Sequence, residues 1–302
     1  VARYVTVASV SHDSGPAFHG DVSALLAHAD HMLWRARQQG AEIVSFPEIY
    51  PLRERPGTPR ALAEPLDGVT ISHIGGKARE LGLYVVWPLY TLEQDRVYNS
   101  SVLLSPRGEV AGVYHKVHPT ISEIESGITP GEGAPVFKTD FGTIGLAICF
   151  DLNFPDIMYG LGDNGAEIIF FSSAYRGGLQ LRIWAYLLGV YIVSAVLAEL
   201  GHIVDMSGQL LATSTYEELI TYRLNLDRRL MHMDYNWDKW DDLLRRYGPD
   251  VSIQFFTPEA VWTVASEREG LSVEDIIREF GLEERRDYWR RSNVAREQAL
   301  GR

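Results

Sequence analysis

Strand-length and helix-length segments alternate from the first residues of this chain, and that order limits the fold more than any other feature. Arg3 to Val10 reads as a strand, Asp21 to Gln39 as an amphipathic helix and Glu42 to Phe46 as a second apolar strand. Ile71 to Leu81 then reads as a helix and Tyr84 to Tyr90 as an extended segment. In the first helix Asp21 stands at the N-cap, Gly40 follows the end, and Leu25, Leu26, Ala29, Met32, Leu33 and Ala36 share the inward face. A β-α-β-α-β order implies an α/β fold, with a sheet covered by helices. Pro51 to Pro65, with four prolines, reads as a loop at a pocket rim, a partner contact or simply in solvent.

Further on, Val97 to Ser105 and Glu109 to Lys116 form a strand pair around the turn Pro106-Arg107-Gly108. Residues 118 to 135, rich in proline and glycine around Glu123 and Glu125, read as a loop. Thr143 to Ile148 is an apolar strand, Phe154 to Leu161 a short helix, Glu167 to Ser172 a buried strand, Leu179 to Leu188 a helix and Val190 to Val196 a strand. Ile203 to Asp205, Gln209 to Ala212 and Leu219 to Leu226 read as a closing meander. Two sheets face to face with helices outside fit this order. From Asp227 the sequence turns charged, Trp-bearing and helix-like, with Val251 to Phe256 and Ala260 to Ser266 as candidate strands. No clean linker separates it, so residues 1–302 are expected to form one domain, with a core at about 3–226 and a C-terminal extension at 227–302. In the last segment Leu282, Trp289, Val294 and Leu300 are expected to dock on a surface.

A net charge of −12 argues against nucleic acid or an acidic membrane as partner, since both need a basic face. Val1 to Val10 alternates like a strand and lacks the features of a signal peptide. The uncharged run Ile183 to Ala198, broken at Gly189, is too short to cross a bilayer comfortably. The single cysteine excludes an internal disulfide framework and suits a reducing compartment, so the cytoplasm is expected.

That cysteine, Cys149, ends the strand Thr143 to Ile148, where Asp151, Asn153 and Pro155 signal a turn into a helix. There a thiol stands over the carboxyl end of a sheet, and helix amides beyond it are expected to lower its pKa. A lone cysteine is more often plain packing, so its company decides. Gly160-Leu161-Gly162-Asp163-Asn164-Gly165 has dinucleotide-fingerprint spacing but follows a helix and precedes a strand, the reverse of the required context. Asn99-Ser100-Ser101 matches a glycosylation acceptor, idle without secretion. His115 and His118 have no further ligands for a zinc site, and no serine nucleophile elbow occurs. No cofactor or metal is implied.

Glu48 and Lys116, like Cys149, lie at the C-terminal ends of strands. Singly, each is more often a cap or a solvated charge. Together they supply a base for the thiol and positive charge for a tetrahedral oxyanion.

Phe46-Pro47-Glu48, Tyr114-His115-Lys116-Val117-His118-Pro119-Thr120 and Gly145-Leu146-Ala147-Ile148-Cys149-Phe150-Asp151-Leu152-Asn153-Phe154-Pro155 resemble the nitrilase, or carbon-nitrogen hydrolase, superfamily, with its Glu, Lys and Cys in that chain order. The third segment is closer to the amide-hydrolysing branches. The resemblance spans about residues 3 to 226 and implies a four-layer α-β-β-α sandwich that dimerises. It also implies a second glutamate after the lysine, Glu123 by spacing with Glu125 as competitor, and pocket residues Ser173, Ala174 and Tyr175. Two segments depart from the family pattern: the one after Trp184, and Asn153, where the family commonly has Arg. The expected reaction is cofactor-free hydrolysis of a small linear amide. Glu48 acts as base and Cys149 as nucleophile, Lys116 with the Phe150 amide holds the oxyanion, and Glu123 orients Lys116. The alternatives are an N-carbamoyl (ureido) hydrolase, a nitrilase, or a catalytically silent interaction protein.

Overall fold

The computed structural model describes residues 2–11, 20–52, 54–197 and 199–302; Arg53 of the proline-rich loop and Ala198, the end of the long uncharged run, lie outside them. Strand β1 (Tyr4–Val10) leads to helix α1 (Val22–Gln38), whose first amides, on Ser23 and Ala24, donate to the Asp21 carboxylate at 2.8 and 3.2 Å. The six residues read as its inward face are all buried. β2 (Ile43–Ser45) pairs parallel with β1 and with β3 (Tyr84–Glu93). Between β2 and β3 come α2 (Pro59–Leu62) and α3 (Val69–Leu81). β4 (Arg96–Leu104) and β5 (Val110–His115) complete an antiparallel hairpin. The proline-rich loop thus contains a helical turn, with Thr58 as cap and Pro59 in the first turn, a pairing that proline's fixed φ favours.

After α4 (Ile121–Glu125) come β6 (Val136–Lys138), β7 (Thr143–Ile148), α5 (Pro155–Asp163), β8 (Ile168–Ser173), α6 (Gly178–Leu188), β9 (Tyr191–Val196), β10 (His202–Val204), β11 (Leu210–Thr213) and β12 (Leu219–Asn225). The two mixed sheets have the orders β12-β1-β2-β3-β4-β5 and β11-β10-β9-β8-β7-β6. One expectation fails here. β12 does not continue a meander with β10 and β11 but lies beside β1 in the other sheet, where the Ser11 amide donates to the Glu218 carbonyl at 2.7 Å and Leu219 joins the apolar layer under α1.

Within the unit Thr6–Arg223, α1 and α3 cover the first sheet through Leu25, Leu33, Ile74, Val44 and Trp87, and α5 and α6 cover the second through Met158, Leu161, Leu181, Ile169 and Phe171. The inner faces carry the fully buried Val7, Ile43, Val86, Leu146, Phe170 and Val193, and two hydrogen bonds also join the sheets: Ser9 Oγ donates to the Ser194 carbonyl at 2.7 Å, and Val196 N donates to Ser11 Oγ at 3.3 Å. The α/β four-layer order α-β-β-α is therefore present.

The other compact unit is formed by Leu224–Arg302 with the residues up to 5. It contains β13 (Arg228–His232), α7 (Trp240–Tyr247), β14 (Val251–Phe256), β15 (Val261–Ser266), α8 (Val273–Phe280) and α9 (Arg285–Ala299). β15 is central and antiparallel to both neighbours, with Trp262 opposite Met231 on one side and Phe255 on the other. Met231, Leu243, Trp262, Val264 and Ile276 form its core. In and before α9, Leu282 is buried and the Arg285 guanidinium lies 4.2 Å over the Trp289 ring, while Val294 and Leu300, expected to dock, are 57% and 52% exposed. The second half of α9 presents mostly charge, and both of these side chains stand open to solvent.

Candidate active site

Strand direction explains the meeting of residues distant in sequence. β2 and β3 are parallel, and β5 runs with β3 because β4 is antiparallel to both. Glu48 and Lys116, each just past its strand, therefore leave the first sheet at one end. In the second sheet β7 and β8 are parallel, so Cys149 and Ala174 leave it together. The link between the sheets is explicit: the Ala174 amide donates to Glu48 Oε2 at 3.0 Å.

Lys116 is almost fully buried, and its Nζ donates to Glu48 Oε1 at 2.8 Å and to Glu123 Oε2 and Oε1 at 2.8 and 3.0 Å. Asn99 Nδ2 donates to the same two carboxylates, at 2.8 Å each. Glu123 is the N3 residue of α4 in a capping box: its Oε2 accepts from Thr120 N at 2.7 Å and its own amide donates to Thr120 Oγ1 at 3.3 Å. Glu125 is exposed. Of the two competing glutamates, it is Glu123 that reaches Lys116.

Cys149 opens a single 3-10 turn, Cys149–Asn153, with φ at +48°, and Ile49, directly after Glu48, has φ at +46°. Left-handed backbone is costly for non-glycine residues, most of all a β-branched one, and persists where surrounding contacts over-determine it. Asp151 supplies such contacts. Its Oδ2 accepts from Tyr114 Oη at 2.7 Å and from the Ile148 amide at 3.0 Å, and its Oδ1 from the His118 amide at 2.8 Å. One buried carboxylate thus ties the cysteine turn to the segment that carries Lys116. Trp184 Nε1 adds a hydrogen bond to the Leu152 carbonyl at 2.8 Å.

The electrostatics differ from the expectation that helix amides lower the thiol's pKa. Burial and the neighbouring Glu48 carboxylate push the Cys149 thiol up to about 12, outweighing Lys116 and a hydrogen bond from Ser173, which pull it down. Burial disfavours the Lys116 ammonium, yet Glu48, Cys149 and Glu123 hold its pKa above the ordinary value. Burial likewise opposes ionisation of Glu123, but Lys116 and the hydrogen bonds from Thr120 and Asn99 keep its pKa low. The resting cluster is thus a neutral thiol beside an ion-paired lysine.

A cavity of about 250 Å³ is lined by Glu48, Lys116, Glu123 and Cys149 together with Asn99, Ile49, Tyr90 and Thr120. Burial, then Glu123 and Glu48, push the Tyr90 phenol up to about 12, so it remains a hydrogen-bond donor. Phe150, Ser173, Ala174 and Tyr175 contribute no wall to this cavity. Phe150 packs edge-on to Phe154 at 5.1 Å, Ser173 Oγ accepts from the Tyr175 amide at 2.9 Å, and Tyr175 Oη donates to Gln180 Oε1 at 3.3 Å. His115 pairs with Ser100 and Glu93, while His118 stacks on Phe154. Among the described residues no three His, Cys, Asp or Glu side chains form a metal-holding group, and no helix is long and apolar enough to cross a membrane.

Sequence reasoning missed Asn99, Tyr90, Thr120, Ile49 and Asp151 as site residues. For Thr120 the signal was present as Thr-x-x-Glu, the capping-box spacing. For Asn99 it was a polar triplet inside an otherwise apolar strand, noticed only as an idle glycosylation pattern.

The family model described as Carbon-nitrogen hydrolase matches residues 6–229. A deaminated glutathione amidase of Rattus norvegicus is 34% identical over 173 residues, 52% of this chain and 53% of that protein. An N-carbamoylputrescine amidase of Solanum lycopersicum is 31% identical over 182 residues, 57% of this chain and 59% of that protein. The chain thus spans little more than half the length of these curated relatives. An amidase from Nesterenkonia sp. AN1, solved with the acetamide moiety of fluoroacetamide on its active-site cysteine, superposes with a TM-score of 0.66 at 23% identity, over 82% of this chain and 97% of that one.

Proposed function

The chain belongs to the carbon-nitrogen hydrolase family, and from that premise we propose that it hydrolyses a small linear amide to its acid and ammonia through a thioester on Cys149. The observation that carries the reading is the Lys116 ammonium held between Glu48 and Glu123 at the wall of a cavity that also admits Cys149. A thiol with a pKa near 12 is not a nucleophile at neutral pH, so its proton must leave as the carbon–sulfur bond forms. Glu48 takes that proton. Negative charge then moves from Glu48 to the carbonyl oxygen, and both positions lie beside Lys116, so the ion pair is exchanged rather than broken. The Phe150 amide is the second oxyanion donor.

Glu48 next protonates the amide nitrogen, the carbon–nitrogen bond breaks and ammonia leaves. Water, deprotonated by Glu48, adds to the thioester; the carbon–sulfur bond breaks, and the thiolate regains a proton as the acid departs. Glu123 and Asn99 fix Lys116 and Glu48 throughout, and positioning of this kind is typically worth several kcal/mol. A cavity of about 250 Å³ with Ile49 and Tyr90 in its wall favours a short acyl group. Ser173, Ala174 and Tyr175 remain candidates for the substrate's other contacts.

A ureido substrate is the second reading, favoured by the similarity to the N-carbamoylputrescine amidase; it would release carbon dioxide as well. A free thiol fits a cytoplasmic setting. Self-association is proposed through α5 and α6, where Tyr159, Leu179 and Ile183 are exposed. The test is ammonia release from a panel of short amides, ureido acids and nitriles, with Cys149→Ala as control. Release from amides without carbon dioxide supports the leading reading; no release, with an unreactive thiol, would leave an interaction protein on the same fold.

A further inference from the structure

A second cavity, of about 380 Å³, lies within the C-terminal unit and is lined by Asp234, Tyr235, Trp237, Asp238 and Tyr288. Three aromatic rings and two carboxylates in one wall are the chemistry that recognises an organic cation: ring faces attract positive charge, and carboxylates neutralise it. We propose that this cavity binds a small organic cation of the alkylammonium or guanidinium class, independently of the chemistry at Cys149.

The wall is built rather than incidental. Asn236, fully buried, clasps the loop in place: its Nδ2 donates to the carbonyls of His232 and Glu283 at 2.9 Å each, and its Oδ1 accepts from Glu283 N at 3.0 Å. The residues on either side of that anchor, Tyr235 and Trp237, are each 64% exposed. Tyr235 has φ at +63°, a left-handed conformation that needs such a restraint. Tyr288 is fixed from two directions, by a hydrogen bond to Asp234 Oδ2 at 2.8 Å and by parallel stacking on His232 at 4.0 Å.

The loop already shows the affinity proposed for it. The Arg291 guanidinium lies 4.8 Å from the Tyr235 ring and 5.3 Å from the Tyr288 ring. Its charge is matched by Glu283, through two hydrogen bonds of 2.6 and 2.7 Å. Lys239, the other cation close by, is turned to the Gly281 carbonyl at 2.7 Å. Asp238, by contrast, has no ion-pair or hydrogen-bond partner among the described residues, and Trp237 makes no ring contact among them. An uncompensated carboxylate beside an unused indole, in a cavity of small-molecule size, is what an incoming cation would complete.

The experiment is isothermal titration of the full chain with tetramethylammonium chloride and, separately, ethylguanidinium chloride, against sodium chloride at equal ionic strength and neutral tert-butanol. One-to-one saturable binding is expected for at least one organic cation and for neither control. Affinity should fall about twofold or more in Asp238→Asn and about two- to fivefold in Trp237→Ala, the range an exposed cation–ring contact spans. Both side chains are exposed, so melting temperatures and ammonia release should stay at wild-type values. Heats equal to those of sodium chloride, equal binding of tert-butanol, or binding undiminished in either variant would each overturn the proposal.

Discussion

Cys149, Glu48 and Lys116 were legible only as a set: each stands just after the end of a strand, and strand ends can be read from apolar runs. Asn99 and Asp151 were not legible, because their importance lies in partners 24 or more positions away. Cys149→Ala should abolish ammonia release while leaving the melting temperature within a few degrees, since no second thiol exists; residual turnover near wild type would end the thiol mechanism. Glu48→Gln keeps the shape but loses the base, so kcat should fall about 10²–10⁴-fold. The raised thiol pKa gives a pH signature. An ordinary thiol is half-ionised at 9.0 and its rate levels off about one pH unit above, whereas this one, pushed up to about 12, should be alkylated by iodoacetamide at a rate that still climbs beyond about pH 10. By linkage the neutral buried thiol also favours the fold fully below about pH 9, and that contribution is lost as pH rises toward 12. A plateau near neutrality would show a thiolate instead. Asp151→Asn keeps one oxygen for Tyr114 and Ile148 but sets its NH2 against the His118 amide, which also donates, so it should cost about 1–3 kcal/mol of stability, and its effect on turnover should fall on kcat more than on KM.

Among elements, the contrast between α1 and α4 shows where periodicity stops informing. α1 runs for 17 residues, long enough for its inward face to repeat; α4 has five and is specified by its cap alone. That cap aims Glu123 at Lys116, so Glu123→Gln should lower kcat/KM well beyond Glu125→Gln, whose side chain is exposed; the opposite ranking would place the second glutamate wrongly. α9 was legible as a helix, but not how much of it docks. Its first turns are held by the fully buried Arg285 and by Tyr288 on His232, and most of the remainder is exposed. Truncation after Gly281 should therefore lower the melting temperature through loss of the first turns. Truncation after Arg291 should not, unless Val294 and Leu300 meet another subunit, in which case the oligomer distribution shifts instead.

For the molecule as a whole, exposed Tyr159, Leu179 and Ile183 on α5 and α6 lead to an expected dimer by light scattering, and paired Leu179→Asp and Ile183→Asp substitutions should release monomers. A monomeric wild type would refute this surface. The sandwich was readable from the alternation of elements, but strand order was not, because adjacency in sequence says nothing about which sheet has a free edge. β12 takes the edge beside β1. Leu219 follows Val10 by 209 positions (219 − 10), so a ribosome adding roughly 5–20 residues per second needs on the order of 10–40 s to deliver the strand that closes the sheet. Throughout that interval the nascent protein carries β1 with one side unpaired, a template for other chains. The last strand of this sandwich is thus also its protection against clumping during synthesis, and chains released before residue 219 should collect in the insoluble fraction.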